Sequence, residues 1–291
     1  MSEQKKTKRA LVLSGGGAKG WWQARVAAQI IRSHNMHFDL ITGVSVGALN
    51  GYLIATHRID EMLDMWESIR NRDVYRGKVN AWNVAKALIT GKTSILDSTP
   101  LRKLIAEKVD DVPFIPMRVG TVSLLDGSYR SQELKYETDI DTIRQALYAS
   151  AAIPMLFRPD IDHNVDGGIR TNSPISDAIA AMPDVNEIYV INCNRLALRY
   201  SRPRNLMQVF GRTAEIVLNE GLRNDFNGVK RINNVLELNG PVTWWNGREL
   251  RKIGIHLFEP PFPLNDMLDF DGIHRQDIRL PAHLQISAYK L

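Results

Sequence analysis

The pentapeptide Gly43-Val44-Ser45-Val46-Gly47 places the strongest constraint on what this chain can fold into. The apolar residues 39–43 before it predict a short strand, and residues 45–56 predict a helix. A G-x-S-x-G sequence at such a junction is typical of a sharp strand-to-helix turn, where the glycines let chain and helix pass closely. The turn exposes the serine hydroxyl at a helix N-terminus, whose partial positive charge favours an alkoxide. Ser45 is therefore a candidate nucleophile.

A second glycine cluster, Gly15-Gly16-Gly17-Ala18-Lys19-Gly20, follows the predicted strand at residues 10–13. It also matches the dinucleotide pattern G-x-G-x-x-G, which requires an acidic residue at the end of the next strand. Asp39 has nearly the right spacing, but it precedes that strand, whose end carries the serine turn. The other interpretation is an oxyanion hole built from the backbone N–H groups of Gly15, Gly16 and Gly17. In that case Lys19 adds positive charge or supports the helix start, and the dinucleotide interpretation remains the alternative.

A third candidate is the acid in Asn164-Val165-Asp166-Gly167-Gly168. Asp166 would accept the Ser45 proton if partial burial or a close hydrogen bond made it a stronger base than an ordinary aspartate. The alternatives are a simple Asp-Gly-Gly turn, or Asp160 or Asp162 as the base. A Ser–Asp–His triad would need a histidine after Asp166, and three qualify by chain order: His256, His274 and His283. His163 lies close to Asp166 in sequence. None of them lies in a motif, so a Ser45–Asp166 pair is the simpler hypothesis.

The order strand–loop–helix–strand–helix predicts an α/β protein, with a mostly parallel central sheet and helices on both faces. Residues 60–112 are predicted to be mostly helical, and residues 205–232 to form one or two helices. Residues 118–136 predict a hairpin that turns at Asp126-Gly127. Residues 187–192 and 253–258 predict further strands. No linker or repeat is visible, so we predict a flexible basic tail at residues 1–9 and one domain at residues 10–291.

Composition narrows the function classes. Apolar residues make up 44% and charged residues 24% of the chain, which is typical of a globular protein rather than a disordered or fibrous one. The single cysteine, Cys193, excludes a disulfide framework and a cysteine-based zinc site. No apolar run is long enough to span a bilayer, and the first nine residues do not resemble a secretory signal. We therefore predict a cytoplasmic protein without metal or cofactor, and leave its oligomeric state open.

The net charge of +5 is concentrated in one segment: residues 195–252 hold eleven basic and five acidic residues. Such a segment fits nucleic acid, anionic lipid or a solvated helix face. Trp244-Trp245, close to Arg248, is a combination found at lipid headgroup level, although the two rings would equally suit a core or an acyl pocket.

Together the three motifs, in this order and spacing, resemble the patatin-like phospholipases. The pattern of that family is a G-G-G-x-R/K-G loop, a G-x-S-x-G turn about 25–30 residues later and a D-G-A/G element. The segment Ala149-Ser150-Ala151-Ala152-Ile153-Pro154 resembles the family's sequence before its aspartate. The resemblance runs from Ala10 to about Asp177, and it implies a three-layer α/β fold.

The resemblance also implies a serine acyl hydrolase with a Ser45–Asp166 dyad and no metal. Its substrates would be phospholipids or related lipids, with a peripheral membrane surface as partner and no nucleic acid. Supporting roles fall on the glycines and the lysine of the motifs: Lys19, Gly20, Gly43, Gly47, Gly167 and Gly168. Acyl transfer by the same acyl-enzyme, and a lipid-binding protein with a silent site, remain alternatives. Trp21-Trp22 and Arg25 depart from the family pattern, and we expect them to reshape the pocket mouth.

Overall fold

The computed structural model describes residues 7–197, 202–204, 206–240, 242–243, 249–264 and 266–275. Within this part of the chain, seven strands form one mixed sheet in the order β4-β3-β2-β1-β6-β7, and β5 also pairs with β3. The strands are β1 Arg9–Leu13, β2 Leu40–Gly43, β3 Met117–Ser123, β4 Tyr129–Leu134, β5 Asn164–Asp166, β6 Glu187–Ile191 and β7 Gly254–Phe258. The pairs β1–β2, β1–β6, β2–β3 and β6–β7 are parallel, whereas β4 and β5 run antiparallel to β3.

Helices cover both faces of the sheet, because the central strands are apolar on both sides. Along β1, Leu11 and Leu13 belong to one core cluster, while Ala10 and Val12 belong to the other. This alternation is the two-residue period of a strand buried on both faces. The observed three layers confirm the predicted α/β class.

The first core cluster is covered by helices that come mainly from the first half of the chain. They are α1 Gly20–Ser33, α2 Val46–Ala55, α3 Ile59–Ser68, α4 Asn71–Val74, α6 Thr99–Lys108 and α7 Ile140–Ala151. The helix α5 Ala81–Ile89 follows α4 in the chain, and none of its residues belongs to this cluster. The second cluster is covered by α8 Ile175–Ala181 and α9 Leu206–Asn239. The predicted helical character of residues 60–112 is confirmed. The predicted one or two helices after residue 205 form one helix of 34 residues.

The predicted basic tail at residues 1–9 needs correction at its end. Arg9 is the first residue of β1, and its Nε donates a hydrogen bond of 2.8 Å to the Glu187 carboxylate. Lys8 Nζ lies 2.7 Å from the Asp184 carboxylate. These contacts join the last residues of the predicted tail to the sheet, because parallel pairing with β6 starts at Arg9. Residues 1–6 lie outside the described residues.

None of the described helices combines the length and the apolar character required to cross a bilayer.

Candidate active site

Ser45 occupies a strained turn between β2 and α2. Its backbone has φ 57° and ψ −130°, a conformation that is rare for a residue with a side chain. A Cβ on Gly43 would lie 2.5 Å from the Gly47 carbonyl oxygen, and one on Gly47 would lie 2.3 Å from the Leu13 carbonyl oxygen. Both positions therefore require glycine, because the backbone segments approach too closely for a side chain. The sequence motif predicts this close approach.

Ser150, near the end of α7, fixes this turn from behind. Its hydroxyl accepts a hydrogen bond of 2.9 Å from the Ser45 backbone N–H and donates one of 2.7 Å to the Gly120 carbonyl. Two residues later, the Ala152 carbonyl accepts a hydrogen bond from the Asp166 N–H at 3.0 Å. The end of α7 thus positions both motif residues. Sequence reasoning noticed residues 149–154 but gave Ser150 no role.

Asp166 lies at the end of β5, buried, beside Ser45. Its carboxylate accepts the Gly168 N–H at 2.8 Å, and the Ser45 side chain is near enough to lower its pKa by hydrogen bonding. Burial raises the pKa of Asp166 to about 6, although these two hydrogen bonds act in the opposite direction. The structure therefore brings the two residues together and makes Asp166 a stronger base than an ordinary aspartate.

The glycine loop has fewer available donors than the sequence predicts. The N–H of Gly15 donates to the Asn172 carbonyl at 3.0 Å, which removes Gly15 from the predicted set of oxyanion donors. The N–H groups of Gly16 and Gly17 have no acceptor among the described residues. Gly17 has φ +57°, and a Cβ there would lie 2.2 Å from the Met267 carbonyl oxygen.

Val46 is a further donor candidate that sequence reasoning missed. It is the first residue of α2, and its N–H finds no acceptor in the described part of the chain. The first N–H groups of any helix lack partners within that helix. The position directly after the serine was a usable signal, since serine hydrolases with this turn take one oxyanion donor from it.

The remaining motif residues hold the loops in place. Lys19 Nζ donates to the Asn194 side chain at 2.5 Å, which ties the glycine loop to the segment after β6. A Cβ on Gly20 would lie 2.2 Å from the Val46 side chain, and one on Gly167 would lie 2.5 Å from the Gly120 carbonyl oxygen. The Gly168 N–H contacts Asp166 directly, as described above.

The competing acids have other functions in the fold. The Asp160 carboxylate accepts hydrogen bonds from the backbone N–H groups of Asp162 and Asn164, at 3.0 and 2.6 Å, and thereby shapes the loop before β5. The Asp39 carboxylate accepts the Arg9 N–H at 2.9 Å. Asp39 therefore lies at the end of β1 opposite to the glycine loop, where it has no access to a nucleotide bound at that loop.

The described histidines also lie elsewhere. The His256 ring stacks on Tyr189, with 4.3 Å between ring centroids, and His274 Nε2 lies 2.9 Å from the Ile69 carbonyl oxygen. His163 is in the exposed loop before β5. His283 falls outside the described residues. No histidine of the described part lines the cavity at Ser45.

A cavity with about 770 Å³ of empty space, part of it open to solvent, begins at Ser45. Gly17, Ser45 and Val46 line it at the glycine loop. Nearly all its other lining residues are apolar. Most of them come from five helices, α2, α3, α4, α6 and α7, and from the segment 267–270. The site thus joins the Ser45 turn to an apolar cavity.

Trp21 and Trp22 are buried in the first core cluster, and neither lines the cavity. The guanidinium of Arg25 lies 5.5 Å from the centroid of the Trp21 ring. The expectation that these residues reshape the pocket mouth is therefore wrong: α1 packs both tryptophans into the core, and Arg25, which is exposed, does not line the cavity either. Trp244-Trp245 lies outside the described residues.

The described residues contain no cluster of three histidine, cysteine or acidic side chains that could hold a metal ion. Burial raises the pKa of the Cys193 thiol to about 12, so this group is protonated at neutral pH and is a poor nucleophile.

The site therefore combines a serine at a strand-to-helix turn of an α/β sheet, a buried acid beside it and an apolar cavity. Residues 11–179 match the family described as Patatin-like phospholipase. The chain belongs to this family, whose members are lipid hydrolases in general.

Similar proteins differ in how much of their length is matched. A protein of Escherichia coli named cGAMP-activated phospholipase is 25% identical over 68% of this chain and 65% of its own length. An uncharacterized NTE family protein of Mycobacterium bovis is 28% identical over 60% of this chain and 44% of its own length. The chain thus spans less than two thirds of both relatives. The structure of VipD from Legionella pneumophila has a TM-score of 0.41 and 12% identity, covering 93% of this chain and 66% of VipD.

Proposed function

We propose that this protein hydrolyses fatty acyl esters of phospholipids or related lipids, of the phospholipase A or lysophospholipase type, through a Ser45–Asp166 dyad. The observation that carries the proposal is the buried Ser45–Asp166 pair at one end of the apolar cavity. A hydrophilic substrate would gain nothing from such a lining, whereas an acyl chain is desolvated by it.

The reaction has two steps. In the first, Ser45 Oγ attacks the acyl carbonyl carbon while its proton passes to Asp166, and the Gly16, Gly17 and Val46 N–H groups hold the oxyanion. The intermediate collapses, the ester C–O bond breaks, and the leaving alcohol takes the proton from Asp166. In the second, a water molecule loses a proton to Asp166 and attacks the acyl-enzyme. The fatty acid leaves, and Ser45 regains its proton.

The name of the Escherichia coli relative, a phospholipase, supports a phospholipid as substrate. The same name says that the relative is activated by cGAMP. We therefore also propose that a second ligand activates this chain, which hydrolysis assays with and without cGAMP would test. The dinucleotide alternative is weaker, since Asp39 is at the wrong end of β2 and the Met267 carbonyl accepts the Ala18 N–H at 2.8 Å, closing over the glycine loop. Product analysis with and without an alcohol acceptor distinguishes hydrolysis from acyl transfer.

The first test is Ser45→Ala. We expect it to lower turnover of a short p-nitrophenyl ester by at least about 10³-fold and to abolish labelling by a fluorophosphonate probe, because the attacking oxygen is gone. Ser68→Ala, which removes an exposed hydroxyl on α3, is the matched control and should retain full activity. Wild-type turnover in the Ser45→Ala protein would exclude the proposed mechanism.

A further inference from the structure

The helix α5 exposes an apolar face to solvent instead of burying it. Trp82, Leu88 and Ile89 are 76%, 79% and 85% exposed. At about 100° per residue, they fall on one arc of the helix together with Ala81, Ala85 and Lys86. Of the helix, only Ala87, on the opposite side, is buried. A cluster of large exposed apolar side chains on one helix marks a surface that binds something.

The charge around this face is mainly basic. The acids that flank it in sequence are Asp73, 3.9 Å from the Arg72 guanidinium, and Asp97, whose backbone pairs with that of Arg76. Residues 75–96 contain four basic residues, Arg76, Lys78, Lys86 and Lys92, and no acidic residue. All four are exposed. A cleft beside α5 adds Arg70 and Arg72 to Arg76 and Lys78, with Asp271 as the single acid of its lining. The partner of this surface therefore needs an apolar interior next to a layer of negative charge.

The same surface adjoins the wall of the apolar cavity. Val74, at the end of α4, lines the cavity, and the Tyr75 ring lies 6.2 Å from the ring of Phe157, which lines it too. After α5 in the chain, the Ile95 N–H donates a hydrogen bond to the Met155 carbonyl. The Met155 side chain is 56% exposed. The basic cleft, which Tyr75 lines, and the apolar cavity, which Val74 and Phe157 line, are thus neighbours.

We propose that α5 is a docking surface for a bilayer with anionic headgroups. Trp82, Leu88 and Ile89 enter the interface, while the surrounding lysines and arginines contact phosphate groups. Tryptophan beside lysine on one helical face is the composition of interfacial helices. Docking itself is independent of the reaction; only its consequence, delivery of substrate to Ser45, depends on the proposed function.

The test is sedimentation of the full chain with vesicles, using Ser45→Ala protein so that no lipid is consumed. The vesicles contain about three parts phosphatidylcholine to one part phosphatidylserine, or phosphatidylcholine alone. We expect binding to the mixed vesicles, weakened by salt, and much less binding to the neutral ones. Changing Lys78, Lys86 and Lys92 to Gln should lower the partition coefficient by about fivefold per lysine.

Matched controls change equal charge and equal apolar surface elsewhere. Lys103, Arg130 and Lys135, all exposed and outside residues 195–252, are changed to Gln as the charge control. Trp82→Ser with Ile89→Ser should lower binding by about tenfold or more. Leu125→Ser with Leu238→Ser, at two other exposed apolar positions, should leave binding unchanged. In an active background, the α5 variants should keep wild-type turnover of a soluble ester.

Absence of binding to the mixed vesicles would overturn the proposal, and so would an equal effect of the control variants. A change in the oligomeric state of the α5 variants in solution would assign this face to a second copy of the chain instead. Failure of the proposed function has a different signature, namely wild-type ester turnover in the Ser45→Ala protein, whatever the vesicles show.

Discussion

At the scale of single residues, the backbone conformation of Ser45 is the most informative feature of the site. A side-chain residue at φ 57° costs of order 1–3 kcal/mol and persists only where its surroundings enforce it. Here the Ser150 hydroxyl and the close approach of Gly43 to Gly47 supply that enforcement. In the proposed reaction, a turn fixed in this way would place the hydroxyl near Asp166 before substrate binds and so reduce the reorganisation that the reaction requires.

The pKa of Asp166 predicts the pH dependence of the reaction. As a base Asp166 must be ionised, and burial raises its pKa to about 6. We therefore expect kcat/KM for a soluble ester to rise tenfold per pH unit below about 6 and to level off above it. Stopped-flow assays from pH 4 to 9 measure this directly. A rise centred near pH 4 would show an unperturbed acid, contrary to this prediction.

The same shift predicts how Asp166 affects stability. Its pKa is higher folded than unfolded, so the ionised carboxylate destabilises the fold above pH 6, and the effect vanishes below about pH 4. Asp166→Asn should remove most turnover. It should also raise the free energy of unfolding at pH 8 by up to about 3 kcal/mol, with no gain at pH 4. Urea denaturation at both pH values tests this; a loss of stability at pH 8 would contradict it.

Ser150 is expected to act as a positioning residue. Ser150→Ala leaves the Ser45 N–H and the Gly120 carbonyl without this partner, so we expect a stability loss of about 1–3 kcal/mol. We also expect lower kcat with a nearly unchanged KM, because the hydroxyl of Ser45 is less well held. Ser98→Ala is the control, since Ser98 is also buried and hydrogen-bonded, at 2.8 Å to the Tyr148 hydroxyl. Equal kcat losses in both variants would indicate a general stability effect.

At the scale of elements, the site depends on how closely β1, β2 and α2 approach each other. Gly47→Ala would place a Cβ 2.3 Å from the Leu13 carbonyl oxygen, a distance that real Cβ atoms do not adopt. Backbone has to move, so we expect a stability loss of at least about 2 kcal/mol and a large loss of turnover. Gly228→Ala, in the open middle of α9, should instead stabilise by about 0.5–1 kcal/mol. Thermal unfolding of both variants tests the contrast.

The elements themselves were largely predictable, because their signals are local. The short apolar runs before Ser14 and Gly43 predicted β1 and β2. The pair Asp126-Gly127 predicted the turn between β3 and β4, where Gly127 has φ +70°. The three-residue strand β5 was too short for periodicity to reveal. Its existence depends on pairing with β3, more than 40 residues away in sequence.

At the scale of the whole molecule, the chamber for substrate is assembled from several elements. Leu104, on α6, is one of its apolar lining residues, whereas its neighbour Lys103 is exposed. Leu104→Trp should lower kcat/KM for long acyl esters by about tenfold and leave short ones nearly unchanged, since the added ring occupies the space of the acyl chain. Lys103→Trp is the matched control. A uniform loss across chain lengths would show that the cavity does not hold the acyl chain.

The basic segment also has to be judged at this scale. The described part of 195–252 is mainly α9, which packs on the second core cluster, and none of its residues lines the cavity. Binding of anionic lipid by that segment stays a prediction, with Trp244-Trp245 outside the described residues. Net charge per segment did not reveal the smaller basic group around α5, which lies beside the cleft lined by Arg70, Arg72, Arg76 and Lys78.

The sequence alone determined the α/β class and the turn at Ser45, and it made Asp166 a candidate base, because each of these signals lies in residues adjacent in the chain. Tertiary structure decided what depends on distant partners. The Asn172 carbonyl accepts the hydrogen bond of the Gly15 N–H, and Ser150, 105 residues away in sequence, binds the Ser45 N–H. Side chains from five helices line the cavity. It also left α5 with its apolar face outward. Local patterns specify which backbone conformations are favourable, whereas only packing specifies which hydrogen-bonding groups and apolar surfaces remain available for a ligand.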